Sequence, residues 1–164
     1  IFATLVGSFL LWWKNRNRES SSIFKMAIGV IIMGWGFFFM AIASGEVAYS
    51  AEGDIIQKSG MQWLILAYLF HTLGELCASP VALSFITKLA PERWMAFMMG
   101  AYFAATGIGN KVAGIIGESA SNFGELTIFL GIGIFCTIFG ILVILILKPL
   151  KRLMHGAEDT EVAA

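Results

Sequence analysis

Charge is scarce in this sequence. Only 13% of its 164 residues are charged, and the 11 basic and 11 acidic side chains cancel. An ordinary soluble domain carries about 25% charged residues. The shortage argues against a water-solvated globule and against disorder. The lack of a basic excess leaves nucleic acid without an electrostatic footing. Cysteine is nearly absent too. Cys77 and Cys136 both lie in apolar runs, where a free thiol behaves as a small hydrophobe. They suggest neither a disulfide framework nor a metal site. Enzyme signatures are missing: there is no H-E-x-x-H, C-x-x-C or G-x-S-x-G. No phosphate loop of the form G-x-x-x-x-G-K-[ST] occurs, and no G-x-G-x-x-G follows a strand. The chain is therefore not expected to be an enzyme, and no cofactor or metal is expected.

What is present is apolar. Hydrophobic residues make up 58% of the chain, with a mean hydropathy of +0.81. A bilayer-spanning helix needs about 20 such residues. The expected class is an all-α integral membrane chain with four complete spans, at 23–44, 61–89, 95–116 and 126–147. Residues 1–13 read as the end of a further transmembrane helix, because no basic region precedes them and no A-x-A-like cleavage site follows. Ile1 is not an initiator methionine, so the chain reads as the C-terminal piece of a longer membrane protein. Residues 148–164 form a tail.

Lysine and arginine set the orientation. Lys14, Arg16, Arg18, Lys25, Lys88, Arg93, Lys148, Lys151 and Arg152 fall on one side of the spans. Lys58 lies on the other, with Glu46, Glu52, Asp54, Glu118 and Glu125. The basic side is expected to be cytoplasmic, and the C-terminal tail with it. Trp12, Trp13, Trp63 and Trp94 fall near the expected interfaces. Ala101, Ala105, Gly109 and Ala113 repeat every four residues and predict close helix packing along one face of the third span. Gly29, Gly34 and Gly36 in the first span, and Gly131, Gly133 and Gly140 in the last, are less regular.

Glu75 is the most informative residue. It lies almost midway along 61–89, where a carboxylate facing lipid costs about 2.5–3.5 kcal/mol on the insertion scale. Such a group is kept where it meets a partner helix or a cavity, and a cavity makes it a site for a cation or proton. His71, Glu75 and Ser79 follow at i, i+4 and i+8. They predict a polar line about 12 Å long, continued by Ala82 and Leu83. His71 is either an interior hydrogen-bonded imidazole or a proton relay. Pro80 removes an amide and crowds the Leu76 carbonyl, which predicts a kink one turn from Glu75. Tyr102, Thr106 and Asn110 again step by four. They predict either a second polar face opposite Glu75 or hydrogen bonds between helices. Lys111 lies near the outer end of its span and can snorkel there, with Glu118 as a partner.

The stretch Gly74-Glu75-Leu76-Cys77-Ala78-Ser79-Pro80, then Leu83-Ser84, then Thr87-Lys88-Leu89-Ala90-Pro91, resembles the tenth helix of the proton-dependent oligopeptide transporters of the major facilitator superfamily. Met99-Gly100 and Gly107-Ile108-Gly109-Asn110 resemble that family's eleventh helix. The resemblance implies a twelve-helix core of two six-helix halves. This chain would hold the end of helix 8 and helices 9–12. It further implies inward symport of di- and tripeptides with protons, in a multi-pass cell membrane protein, with a bacterial inner membrane favoured by the short 46–60 loop. Glu75 then looks like the carboxylate that receives the peptide amino terminus. Ser79 looks like its companion in the pocket, and Leu83 like a residue of the cytoplasmic gate, with Pro80 as hinge. Tyr102 stands where the family usually has tryptophan. The partners implied are the peptide, protons, the lipid bilayer and the N-terminal half of the transporter, since an alternating-access site forms between two repeats. Two rival readings remain: a relative carrying another solute, and a non-transporting membrane scaffold subunit whose polar residues only join helices.

Overall fold

A computed structural model of the chain describes residues 4, 6–8, 12, 21–49 and 55–153. Residues 4, 6–8 and 12 are helical. The rest of the expected 1–13 helix lies outside the described residues, as do Lys14, Arg16, Arg18, Glu52, Asp54 and the tail from 154 onward.

Helix α1 covers Ser22–Glu46. Ser21 starts it, its hydroxyl accepting from the Phe24 amide at 3.4 Å, which satisfies one of the first free donors. Strands β1 (Ala48–Tyr49) and β2 (Ile55–Gln57) form an antiparallel hairpin, pairing Ala48 with Gln57 and Tyr49 with Ile55 across an irregular step. This hairpin is an addition to the all-helical expectation. Helix α2 covers Met61–Leu89 and runs through Pro80. It stops at Ala90, which is extended (φ −75°, ψ 128°) because the residue before a proline, here Pro91, is pushed out of the helical region. One 3-10 turn, Glu92–Trp94, leads into α3, Met95–Phe123.

Gly124 alone joins α3 to α4, Glu125–Leu145. Its φ is +84°, a conformation that needs glycine, and its amide donates to the Ala120 carbonyl at 2.9 Å. The expected 117–125 loop is thus a single hinge residue. Helix α5, Leu147–Leu153, follows one irregular residue, Ile146. Pro149 explains the break: it has no amide for the Leu145 carbonyl, and its ring crowds that oxygen.

Helix α1 sits between α2 and α4 and packs extensively on both. Glycine makes this possible. A Cβ at Gly29 would lie 2.7 Å from the Gly74 carbonyl oxygen, and one at Gly74 would lie 2.6 Å from that of Gly29. Farther along, Gly36 faces the Ala67 carbonyl and the His71 ring. On the α4 side, Gly34 and Gly133 each lie 3.2 Å from the other's carbonyl oxygen by the same measure, and Gly140 meets Ile31 and the Ala27 carbonyl. Both pairs of helices are therefore antiparallel.

The small-residue stripe of α3 does not do this. Ala101, Ala105, Gly109 and Ala113 are exposed, and nothing approaches Gly100, Gly107, Gly109, Gly114 or Gly117. The packing glycines are those with the less regular spacing, because α1 has two partners on different faces and so two interleaved sets. Gly131 is an exception, with open space beside it.

Large apolar side chains face outward throughout, Met61 at 75% and Leu145 at 76% exposure among them. In water such a surface would aggregate, whereas in hydrocarbon it is solvated. Helices α1, α2 and α4 are each long and apolar enough to cross a membrane. Helix α3 equals α2 at 29 residues but is less apolar.

The glycine contacts predict an asymmetric mutational response. Gly74→Ala drives a methyl into the Gly29 carbonyl and the Met33 side chain, and should cost about 1–3 kcal/mol. Gly131→Ala meets open space and should be neutral or slightly stabilising. Thermal unfolding of the detergent-solubilised full-length protein compares the two.

Candidate binding site

Helix α2 carries the candidate acid, and its packing on α1 decides where that acid points. Gly74 lies in the seam against Gly29. The next residue is rotated by about 100° around the helix, so Glu75 leaves the seam. Glu75 is exposed and, among the described residues, has no hydrogen bond or ion pair. Cys77 returns to the buried side, and Ala78 packs on Gly29.

The expected single polar line is split by the same geometry. Steps of four residues drift by about 40° each. His71 is half-buried at the seam, its ring over Gly36 and edge-on to Phe37 with centroids 4.6 Å apart. Phe37 in turn stacks on Phe129 of α4 at 6.5 Å. His71 also borders an apolar cleft of about 250 Å³ shared with Phe37, Met40, Leu64, Tyr68 and Phe129. Two turns along, Ser79 is half-buried, and Pro80 beyond it is exposed. Ser79 makes no hydrogen bond to the backbone around Pro80. His71 thus belongs to the three-helix contact, and Glu75 to the open face beside it.

Leu83 is half-buried one turn beyond Ser79. Tyr102 is half-buried on α3, its ring against Phe103 at 5.6 Å. Helix α3 touches α2 only sparsely, and among the described residues no hydrogen bond joins Tyr102 to Glu75. The Thr106 hydroxyl donates to the Tyr102 carbonyl at 3.0 Å, so this four-residue step is used within the helix and not between helices. Asn110 and Lys111 are exposed. The Phe37, His71 and Phe129 cluster was not legible as a unit in the sequence. Its signal is Gly36, which leaves room for the imidazole.

The family model described as PTR2, POT family, matches residues 1–147. The chain belongs to the POT family. This is a family of transporters and not of enzymes. Among curated POT relatives, the peptide transporter YePEPT of Yersinia enterocolitica subsp. palearctica serotype O:3 (strain YE-P4) is 33% identical over 99% of this chain and 32% of its own length. The di-/tripeptide transporter of Lactococcus lactis subsp. lactis (strain IL1403) is 30% identical over 88% of this chain and 28% of its own. The chain spans about a third of the length of the curated relatives it matches. The crystal structure of a POT family transporter in complex with 5-aminolevulinic acid superposes with a TM-score of 0.74 at 21% identity, covering 88% of this chain and 28% of that one. A second, in complex with a thioalcohol-conjugated peptide, gives 0.74 at 21% identity over 90% and 28%. The fold is accordingly the all-α major-facilitator type of a multi-pass membrane protein, with the small hairpin between α1 and α2.

The exposure of Glu75 predicts a labelling pattern. In a full-length protein lacking Cys77 and Cys136, Glu75→Cys should react with a membrane-impermeant maleimide, and Gly74→Cys should not. An unreactive Glu75→Cys in both orientations of the membrane would place the acid against lipid.

Proposed function

We propose that this chain supplies the C-terminal part of the binding cavity in a proton-coupled symporter that brings di- and tripeptides into the cell. The observation that carries the reading is Glu75: an acid without a described partner, midway along an apolar helix, on the face turned away from α1. Such a group in a POT chain is suited to receive the ammonium of a peptide. A charge-assisted hydrogen bond of this kind is among the stronger contacts a protein makes. Ser79 and Tyr102 shape the pocket in this reading. Pro80 and Leu83 take part in closing the cytoplasmic side, beyond the stretch of α2 that Gly29 and Gly36 hold.

Helices α1 to α4 each cross the bilayer in this proposal, as helices 9–12 of the twelve. The ends bearing Lys25, Lys88, Arg93 and Lys148 face the cytoplasm, with α5 and the tail, as the lysine and arginine bias directs. The membrane is the bacterial inner membrane, in keeping with relatives from bacteria. The N-terminal half of the transporter completes the cavity. His71 has aromatic and glycine partners but no described polar one, so a proton-carrying role for it would need a group from outside α1, α2 and α4.

A second reading, a solute other than a peptide, is favoured by the solved POT transporter that binds 5-aminolevulinic acid. Uptake by the full-length protein in proteoliposomes separates the readings. With an inward proton gradient, labelled dipeptide should accumulate and be displaced by unlabelled di- and tripeptides. Displacement only by 5-aminolevulinic acid, amino acids or nitrate would favour the second reading. No accumulation of any of these would leave a scaffold subunit. Glu75→Gln should weaken dipeptide binding about tenfold or more, the equivalent of losing one charged hydrogen bond. Peptides with a blocked amino terminus should respond little. His71→Gln should abolish gradient-driven accumulation while sparing dipeptide exchange if the imidazole carries the proton, and should affect both equally if it only packs.

A further inference from the structure

The antiparallel packing sorts the described charges by end. Gly29 lies against Gly74 and Ala78, and Gly140 against Ala27 and Ile31, so the start of α1 and the ends of α2 and α4 meet at one end of the bundle. Lys25, Lys88, Arg93, Lys148, Lys151 and Arg152 gather there, with Glu92 as the acid among them. Glu46, Lys58, Glu118 and Glu125 mark the other end.

Helix α5 gives the basic end a shaped corner. Leu147 is 8% exposed and holds the helix to the bundle, and Leu150 is half-buried. Lys148 and Arg152, four residues apart, are exposed on the opposite side. Two like charges at that spacing repel on a helix, and an anion between them removes the penalty. Just before them, Leu145 and Ile146 are 76% and 42% exposed. Apolar surface therefore passes directly into paired cations, the profile of hydrocarbon meeting a headgroup layer. Across the same end, Trp94 is 52% exposed with the Arg93 guanidinium 5.6 Å from its ring centre, an aromatic marker of that layer.

We infer that Lys148 and Arg152, with the exposed Leu145 and Ile146 beneath them, form a binding site for an anionic phospholipid, the cations taking the phosphate and the apolar pair an acyl chain. The inference rests on the membrane disposition proposed above and not on the identity of the transported solute. Melting of the full-length protein in detergent tests it without any transport measurement. Added phosphatidylglycerol should raise the melting temperature, and phosphatidylcholine or inorganic phosphate at equal concentration should not. The double variant K148Q/R152Q should melt with the wild type in phosphatidylcholine yet lose most of the phosphatidylglycerol shift, and K148R/R152K should keep it. A full shift in K148Q/R152Q would overturn the inference, as would an equal shift with phosphate alone. Should K148Q/R152Q fail to accumulate, the wild type still decides. Its shift must vanish near 1 M salt, where the screening length is about 3 Å, and a shift that persists there refutes the site. Glu158, Asp159 and Glu161 follow in sequence and carry charge of the same sign as the lipid phosphate. Deleting residues 154–164 should leave or enlarge the shift, and its loss would assign the effect to the tail instead.

Discussion

Backbone approaching backbone, where α1 meets α2 and α4, is the constraint on which the described structure depends. Lipid offers no hydrophobic drive between helices, since acyl tails solvate leucine as well as another helix does. Association must come from close van der Waals contact, and close contact requires the absence of side chains. Gly29 with Gly74, and Gly34 with Gly133, supply it on two faces of one helix. Thr137 shows the same economy. Its hydroxyl donates to the Gly133 carbonyl at 2.8 Å, within its own helix, and leaves no unpaired polar hydrogen in the seam with α1.

The seam also fixes the rotation of α2, and so everything displayed on it. With Gly74 held against α1, Glu75 has no freedom to pack inward. Its neighbour thus keeps the carboxyl out of the seam with α1. His71 is fixed by the opposite logic. Gly36 leaves a space on α1 that the imidazole fills, and Phe37 closes over its edge. One helix thus shows an aromatic contact surface to α1 and an acid to the open side, and the drift of the helical repeat separates the two by a fraction of a turn.

Much of this was legible in the sequence, and the failures have physical causes. The apolar runs announced the helices, because their lengths are set by bilayer thickness. Glu75 stood out because an acid midway along an apolar helix is costly where it meets lipid. The regular Ala101 to Ala113 stripe suggested tight packing, yet the described residues leave it open, while irregularly spaced glycines do the packing. A fixed period describes a helix with one partner, and α1 has two. The pairing of 48–49 with 55–57 went unseen because two strands of two and three residues carry too little pattern. Gly124 reads in the sequence as part of a short 117–125 loop, because composition alone does not show that one positive-φ residue can reverse the chain.

Apolarity is not shared equally among the helices, and the inequality follows their work. Helix α4 is the most apolar, α1 comes next, α2 is the least apolar of the three that qualify as spans, and α3 falls below them. The first two make the glycine seam on the α4 side and carry no charge beyond Lys25, Glu46 and Glu125 near their ends. The other two bear Glu75, Tyr102, Thr106, Asn110 and Lys111 along their lengths. A helix solvated only by lipid has no reason to keep such residues, since each raises its insertion cost. A helix whose one side borders water or another protein surface does. The polar pair α2 and α3 is joined by the tight Pro91 turn, and α3 is the helix that packs least on the other three. Polarity and lack of cover thus coincide on α3 and on the Glu75 face of α2, whereas the uncovered surface of α4 is apolar, the distribution expected where part of a bundle faces an interior and the rest faces the membrane.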